Sequence, residues 1–375
     1  MGDRVRAALL SMDWILLAAV GLLLVFSVHV IDAATVNDVP GSPNFFTDRQ
    51  VLFTIGALIG GVVLASFDIT RLQNMSWVLL GGLLGALAVV FVLGTTIKGA
   101  NAWIDLGPFN LQPSEMGKVV MILVLAALAV ERMPEITSRR TTLFLTAVAA
   151  APATVVFLQP DLGTSLVYGA ILAAVLFLAG APWTHFATAG AILVAAIVMV
   201  LAVLPAAGVT VLKDYQVERL TAFVTGDRDS GTAGYQLDQS KTAIGSGGAV
   251  GKGPENATQT INDFLPEHHT DFIFAVIAEM YGFVGAAGVL MLFGVILWRI
   301  LRLTARAATQ FEQIVAGAIG AMIMFQLFQN VGMNIGLMPI TGIPLPFVSY
   351  GGSHTVTNVA AIGILLSIHR RRAGL

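Results

Sequence analysis

Cysteine is absent from this 375-residue sequence, and charged residues make up only 11% of it. Without cysteine the chain forms no disulfide, no thiolate metal site and no cysteine nucleophile. A soluble domain usually carries roughly 25% charged residues, so the polar surface here is too small for a soluble core of this size. Hydrophobic residues account for 56% of the chain. This composition indicates an integral membrane protein.

Ten apolar stretches divide the chain, and a helix needs about 20 such residues to cross a bilayer. We predict helices at residues 13–33, 50–67, 75–94, 114–131, 141–158, 162–180, 184–205, 271–298, 310–332 and 354–369. The predicted fold class is therefore an all-α polytopic integral membrane protein with about ten transmembrane helices. We expect one membrane domain that covers residues 1–375.

The basic residues predict an orientation for these helices. If the N-terminus is cytoplasmic, the inside segments hold 12 of the 20 lysine and arginine residues, in line with the positive-inside rule. These are Arg4, Arg6, Arg71, Arg132, Arg139, Arg140, Arg299, Arg302, Arg306 and Arg370 to Arg372. Both termini are then cytoplasmic, and residues 206–270 form a long extracytoplasmic loop between helices 7 and 8. Within it, residues 214–224 and 234–244 are candidates for short amphipathic helices at the membrane interface.

Charged residues at the predicted outer helix ends are candidates for function, because charge near a bilayer is costly. Glu115 and Lys118 are three residues apart, on one helix face where they can pair. Asp161, Arg49 and Asp271 each open a helix. Each also has a structural interpretation: an ion pair for the first two, a helix cap for Asp161 and Asp271, and an interface anchor for Arg49.

The sequence lacks several common catalytic and ligand-binding motifs. The Gly251-Lys252 dipeptide resembles the end of a P-loop, but Ser246 and Gly253 occupy positions that require other residues. No Gly-x-Ser-x-Gly elbow is present. His268 and His269 are adjacent, so on a helix they would point in different directions, and we expect no metal site. The net charge of −2 says nothing about nucleic acid, but the chain has no basic tract beyond its last few residues, and we expect no nucleic-acid partner.

The polar motifs together resemble the SEDS family (shape, elongation, division and sporulation proteins). The resemblance rests on Gln112–Lys118, Gln159–Thr164, Gly234–Gly248, Phe264–Ala275 and Thr341–Ser353, which occur in the family's order. Ser240 to Ser246 and Asn334 to Pro339 are more similar to the RodA branch than to the division branch, FtsW. Ala102 and His354 depart from the family pattern, which often has arginine and serine there.

The resemblance implies a peptidoglycan glycosyltransferase in the bacterial cytoplasmic membrane, with its active site on the extracytoplasmic face. Such an enzyme polymerises lipid II for cell elongation and rod shape, alongside a class B penicillin-binding protein and the elongation machinery. The resemblance also implies that Asp271 is the catalytic acid, and that Arg49, Glu115, Lys118 and Asp161 are functionally sensitive.

Joining two lipid-linked sugars requires a base for the attacking hydroxyl and cations for the leaving pyrophosphate. We expect Asp271 to be the base in an inverting transfer. The candidate cations on the outer face are Lys118, Arg49, Lys98, Arg219 and Lys241. The sequence requires no cofactor, although a divalent cation is compatible with it. Two rival functions stay open: a lipid II flippase, and a non-catalytic scaffold for a penicillin-binding protein.

Overall fold

The computed structural model describes residues 12–97, 100–105, 107, 109–206 and 231–372. Eleven helices longer than ten residues lie in these ranges, numbered α1 to α11 in chain order. They are α1 Trp14–Thr35, α2 Phe45–Ser66, α3 Ser76–Leu93, α4 Pro113–Glu131, α5 Arg139–Leu158, α6 Leu162–Leu178, α7 Trp183–Val198, α8 Gly231–Gly247, α9 Ile273–Thr304, α10 Gln310–Asn334 and α11 Gly352–Arg372.

All ten predicted apolar stretches are helical, which confirms the all-helical polytopic fold. Seven of the described helices are long and apolar enough to cross a membrane, namely α1 to α5, α9 and α10. Helices α6 and α7 are apolar but shorter, and α7 continues through a π-helical turn at Met199–Val203 into Leu204–Ala206. Helix α11 begins with polar residues, among them Ser353, His354 and Asn358, and these are buried against neighbouring helices.

The described part of the long loop before α9, residues 231–270, contains a full helix. Helix α8 covers the predicted segment 234–244, while the other predicted segment, 214–224, lies outside the described residues. A short sheet, which the apolar pattern does not predict, precedes α4. Its antiparallel strands are β1 Thr95–Ile97, β2 Ala100–Asp105 and β3 Asn110–Leu111, in that order.

Helix α4 lies at the centre of the molecule. It packs against α3, α6, α10 and α11, and 83% of its most apolar 18-residue window is buried, compared with 17% for α2. Close contacts between helices depend on small residues, as is usual where lipid provides no hydrophobic drive. Helices α2 and α11 meet at Gly61 and Gly363, where a side chain on Gly363 would collide with the backbone of Gly61.

Helix α9 is interrupted at Gly282, which has φ 64° and ψ −162°. The interruption exposes backbone groups that a continuous helix would pair, and the segment 248–253 bonds to them. Lys252 N donates to Glu279 O at 3.0 Å, and Phe283 N donates to Gly248 O at 2.9 Å. The glycine-rich segment therefore completes the broken helix.

The side chain of Glu279 holds the next part of the same loop. It is fully buried and accepts hydrogen bonds from the backbone of Gln259 at 2.9 Å and of Thr260 at 3.1 Å. Lys252 Nζ lies 3.3 Å from the carboxylate. A buried carboxylate is stable only when paired and hydrogen-bonded, and these contacts satisfy that requirement.

Replacing Gly282 with alanine should destabilise the protein. Backbone with this combination of φ and ψ is adopted almost only by glycine and costs another residue about 1–3 kcal/mol, and the added Cβ would also collide with the backbone of Ala249 to Gly251. The control is Gly288→Ala in the same helix, where an added Cβ meets nothing within 4 Å and should be neutral or slightly stabilising. Thermal unfolding of the purified variants in detergent should give a lower midpoint for Gly282→Ala alone. Equal midpoints would contradict this account of the break.

Candidate active site

A cavity of about 1040 Å³ opens at the end of the molecule where α4 and α6 begin. Its polar lining combines four acids, one arginine and two histidines: Glu115, Asp161, Glu267, Asp271, Arg49, His269 and His354. One wall is apolar and comes largely from α7, with Leu193, Ala196 and Ile197. Leu193 and Ile197 are exposed side chains. The cavity therefore suits a ligand with a charged head and an apolar tail.

Asp271 lies in a turn that α10 holds by its backbone. Asn330 Nδ2 donates to Asp271 O at 2.9 Å, and Asn334 Nδ2 donates to the same oxygen at 3.1 Å. Asn330 Nδ2 also lies 2.9 Å from Ile343 O, so it joins this turn to the segment before α11. The N-cap residue of α9 is Phe272, so Asp271 is not that helix's cap. Its position depends on two buried asparagines.

The segment that precedes α11 holds the same turn from the other side. Ser349 Oγ donates to Thr270 O at 2.7 Å, and Tyr350 N donates to His269 O at 2.9 Å. A Cβ on Gly342, which has φ 72°, would lie 3.5 Å from Asp271 Oδ2. The Thr341–Ser353 motif thus surrounds Asp271 with backbone that stays close to the carboxylate.

Asp161 both caps α6 and lines the cavity. Its Oδ1 accepts from Thr164 N at 2.9 Å, and its Oδ2 accepts from Gln112 Nε2 at 2.9 Å. Burial raises the pKa of Asp161, although the hydrogen bonds from Thr164 oppose that rise. The cap interpretation is therefore confirmed, and the same side chain still faces the cavity.

Glu115 and Lys118 form the ion pair that their spacing predicts. Lys118 Nζ lies 2.6 Å from Glu115 Oε1, and the two residues are 1% and 4% exposed. Glu115 lines the cavity, whereas Lys118 lies behind it and is not among the lining residues. Any effect of Lys118 on a ligand in the described cavity therefore acts through Glu115 or through space.

Arg49 is the basic residue that lines the cavity within the described part of the chain. Its guanidinium lies 4.2 Å from the centre of the Phe45 ring and hydrogen-bonds Tyr350. These two contacts hold the charge at the cavity wall. The guanidinium could contact a phosphate there, because arginine presents several donors in one plane.

The other predicted cations lie elsewhere or cannot be placed. Lys241 is exposed on α8 and lies over Gly336, and it does not line the cavity. Lys98 and Arg219 fall outside the described residues. Ala102, which departs from the family pattern, is buried in β2.

Sequence reasoning missed the groups that position Asp271. Asn330 and Asn334 are completely buried on α10, and two amides four residues apart in an apolar helix were an available signal. In the sequence analysis His268 and His269 are placed on a helix, where their rings would point in different directions. This placement is wrong, because both residues lie in a turn. Their rings converge on Asp38, which is far away in sequence.

Removing one member of the Glu115–Lys118 pair should cost more stability than removing both charges. Lys118→Met leaves a carboxylate buried without its cation, which typically costs about 3–5 kcal/mol. The double variant Glu115→Gln/Lys118→Met removes both charges and should recover most of that loss. The measurement is the thermal unfolding midpoint of the three purified proteins. A double variant no more stable than Lys118→Met would disprove the pairing as the source of stability.

Comparison with known proteins identifies the family. A family model described as a cell cycle protein, of FtsW, RodA and SpoVE, matches residues 7–374. The peptidoglycan glycosyltransferase MrdB of Escherichia coli K12 is 39% identical over 286 residues, which is 76% of this chain and 75% of that protein. The stage V sporulation protein E of Bacillus subtilis is 35% identical over 370 residues, 96% of each chain.

Solved structures of similar fold support the same family. A chain from a study of how a peptidoglycan synthase complex coordinates polymerization and crosslinking superposes with a TM-score of 0.81 at 30% identity, covering 96% of this chain and 98% of that one. The rod shape determining protein RodA of Thermus thermophilus gives a TM-score of 0.70 at 28% identity, with 96% and 97% covered. The chain is thus a multi-pass membrane protein and belongs to the SEDS family, the cell cycle proteins FtsW, RodA and SpoVE.

Proposed function

We propose that this protein is a peptidoglycan glycosyltransferase that joins lipid II units into glycan strands. The observation that carries the proposal is the cavity itself, which places Asp271 and Arg49 in one chamber with an apolar wall from α7. Lipid II has the matching chemistry: a sugar that reacts, a pyrophosphate and a long apolar tail. The relatives named as peptidoglycan glycosyltransferases support the assignment.

In the proposed reaction Asp271 is the general base. The 4-hydroxyl of the acceptor sugar gives its proton to the Asp271 carboxylate, and its oxygen forms a bond to the anomeric carbon of the donor. The bond from that carbon to the pyrophosphate oxygen breaks, so undecaprenyl pyrophosphate leaves and the anomeric configuration inverts. The Arg49 guanidinium at the cavity wall balances the charge that develops on the leaving group.

Two features of the structure support Asp271 for this role. The amides of Asn330 and Asn334 hold its backbone oxygen, and positioned groups contribute most when their geometry is set before reaction. Asp271 also shares the cavity with the cation Arg49. Asp161, which caps α6, and Glu115, which pairs with Lys118, line the same cavity. We assign Asp161 and Glu115 to shaping the site.

The proposed orientation puts the cavity on the extracytoplasmic face of the bacterial cytoplasmic membrane and both termini in the cytoplasm. Contacts between arginines and acids support it, because they gather at the end of the bundle away from the cavity. Arg299 Nη2 lies 2.9 Å from Asp13 Oδ2, and Arg371 Nη1 lies 3.1 Å from Asp68 Oδ1. A basic end is typical of the cytoplasmic side.

We further propose that the protein works with a class B penicillin-binding protein and the elongation machinery. The similarity to a chain of a peptidoglycan synthase complex supports such a partner. The motifs at Ser240 and Asn334 favour the RodA branch. Overall identity separates the branches less, since it is 39% to MrdB and 36% to an FtsW of Halorhodospira halophila.

No organic cofactor enters the proposed reaction. Among the described residues, no three of the cavity acids bring carboxylate oxygens within 4.8 Å of one another. A divalent cation in the cavity would therefore need phosphate oxygens of the substrate as additional ligands. We assign it no step.

The rival flippase function requires polar groups that line a path through the middle of the membrane. Glu279 lies within α9, one of the helices long and apolar enough to cross a membrane. Its side chain accepts hydrogen bonds from the backbone of Gln259 and Thr260 and contacts Lys252. It is thus occupied by the fold and does not line the cavity. This observation favours the polymerase over the flippase.

Replacing Asp271 with asparagine should abolish strand synthesis while leaving the folded protein intact, because the amide cannot take the proton. The assay is polymerisation of lipid II by the purified protein, with and without its penicillin-binding partner. Asp32→Asn is the matched control, since Asp32 is exposed, binds Thr47 Oγ1 at 3.0 Å and does not line the cavity. We expect the control to retain full activity.

The same variants separate the rival functions. If Asp271→Asn polymerises lipid II as fast as the unmodified protein, Asp271 is not the base. If, in addition, the purified chain has no polymerase activity of its own, the scaffold function is favoured. In sealed vesicles, translocation of lipid II without strand formation would instead identify a flippase.

A further inference from the structure

Asp38, His268 and His269 form a cluster beside the cavity. Asp38 lies in the turn between α1 and α2, and the two histidines come just before Asp271 in the turn that leads into α9. His268 Nε2 is 3.2 Å and His269 Nδ1 is 3.8 Å from the same oxygen, Asp38 Oδ2. One donor atom from each side chain lies within 4.8 Å of the other two.

His268 has the tautomer of a metal ligand. Its Nδ1 lies 3.1 Å from Leu265 O, and because a carbonyl only accepts, Nδ1 carries the hydrogen. This leaves the lone pair of Nε2 facing the Asp38 carboxylate when the ring is neutral. The ring is 3% exposed, and in this neutral tautomer Nε2 has no hydrogen to donate to the Asp38 oxygen 3.2 Å away. A backbone carbonyl on one ring nitrogen commonly orients the other toward a metal.

We propose that Asp38, His268 and His269 bind a divalent transition-metal ion of the zinc type. Two imidazole nitrogens and one carboxylate oxygen form a donor set that suits zinc better than magnesium or calcium. Zinc lies about 2.0–2.2 Å from such donors, so the donor atoms of a tetrahedral site are about 3.3 Å apart. The observed 3.2 and 3.8 Å contacts are already close to that spacing. Water would take the fourth position.

Such an ion would tie the turn between α1 and α2 to the turn that carries Asp271. His269 is two residues from Asp271 and lines the cavity. Its ring packs against Phe46 and Tyr350, with centroid distances of 4.6 and 5.6 Å. The metal would therefore position the turn rather than take part in sugar transfer. This inference goes beyond the proposed polymerase function and does not depend on it.

A proton is the competing occupant of the gap between His268 and Asp38. Burial lowers the pKa of His268, but the Asp38 carboxylate outweighs it and the pKa is raised overall. A protonated pair would satisfy both side chains without a metal. The position of His269 favours the metal over the proton. A proton shared by His268 and Asp38 needs only those two side chains, whereas a metal site uses the second imidazole that lies near the same Asp38 oxygen.

The test is direct metal binding by the full chain, purified without a polyhistidine tag. After treatment with a chelator, the protein is dialysed against Zn²⁺ and its metal content is measured by elemental analysis. A parallel sample with Co²⁺ reports the ligand geometry by its visible absorption. The variants are His268→Gln and Asp38→Asn. The control is His185→Gln, whose ring nitrogen contacts Thr142 Oγ1 at 2.7 Å, away from the cluster.

We expect one Zn²⁺ per chain for the unmodified protein and for His185→Gln. The two cluster variants should bind at least about tenfold more weakly. Zn²⁺ should raise the unfolding midpoint of the unmodified protein, since a ligand of the native state stabilises it, and should leave that of the cluster variants unchanged. If His268→Gln does not fold, Asp38→Asn, which changes a surface turn, decides the question.

Two results would overturn the proposal. One is an unmodified protein that retains no stoichiometric Zn²⁺, which identifies the pair as protonated only. The other is equal Zn²⁺ affinity in Asp38→Asn, His268→Gln and the control, which places the ion elsewhere. Neither readout requires lipid II or polymerase activity, so failure here leaves the proposed function untouched.

Discussion

Backbone groups buried in a membrane protein have no water to bond, and the fold of this protein depends on how that requirement is met where helices stop. Helix α9 is interrupted at Gly282, and the amides and carbonyls released there bond to residues 248–253. Two buried asparagines of α10 do the same for the turn at Asp271. The irregular backbone is therefore confined to places where another segment completes its hydrogen bonds.

The same requirement explains why the site is assembled from distant segments. The turn at Asp271 is irregular, so it needs donors and acceptors from α10 and from the segment before α11. Those partners bring Gly342 and Tyr350 to the cavity wall. The acids of the cavity are held in a similar way. Glu115 is buried and pairs with Lys118, and Asp161 is half-buried and accepts a hydrogen bond from Gln112. The cavity thus combines polar groups already held in place with an apolar wall from α7.

The proposed metal site extends this arrangement to the first loop. Asp38 approaches two histidines that belong to the Asp271 turn, and a cation between them would relieve the contact between a carboxylate and an imidazole lone pair. Together the contacts to α10, to the segment before α11 and to Asp38 hold the turn from three sides. A catalytic carboxylate benefits from such support because misplacement by even 1 Å can cost much of the rate.

Much of the fold could be predicted from the sequence, because apolar runs and arginine clusters report on a bilayer directly. All ten apolar stretches are helices, and the i,i+3 spacing of Glu115 and Lys118 correctly predicts their contact. The short sheet before α4 was not predictable, since its strands are short and lack a clear alternation. Lys241 was a candidate cation because it falls on the predicted outer face, but its side chain is exposed on α8 and does not line the cavity.

The sequence by itself determined that this is a membrane protein, which helices it has and which carboxylate is the leading candidate for the chemistry, because these depend on local composition and motifs. Only the tertiary structure decided which charges share the cavity, that Glu279 supports a loop, and that Asn330, Asn334 and Asp38 surround the Asp271 turn. These contacts join residues up to 230 positions apart, and no local pattern encodes such a distance.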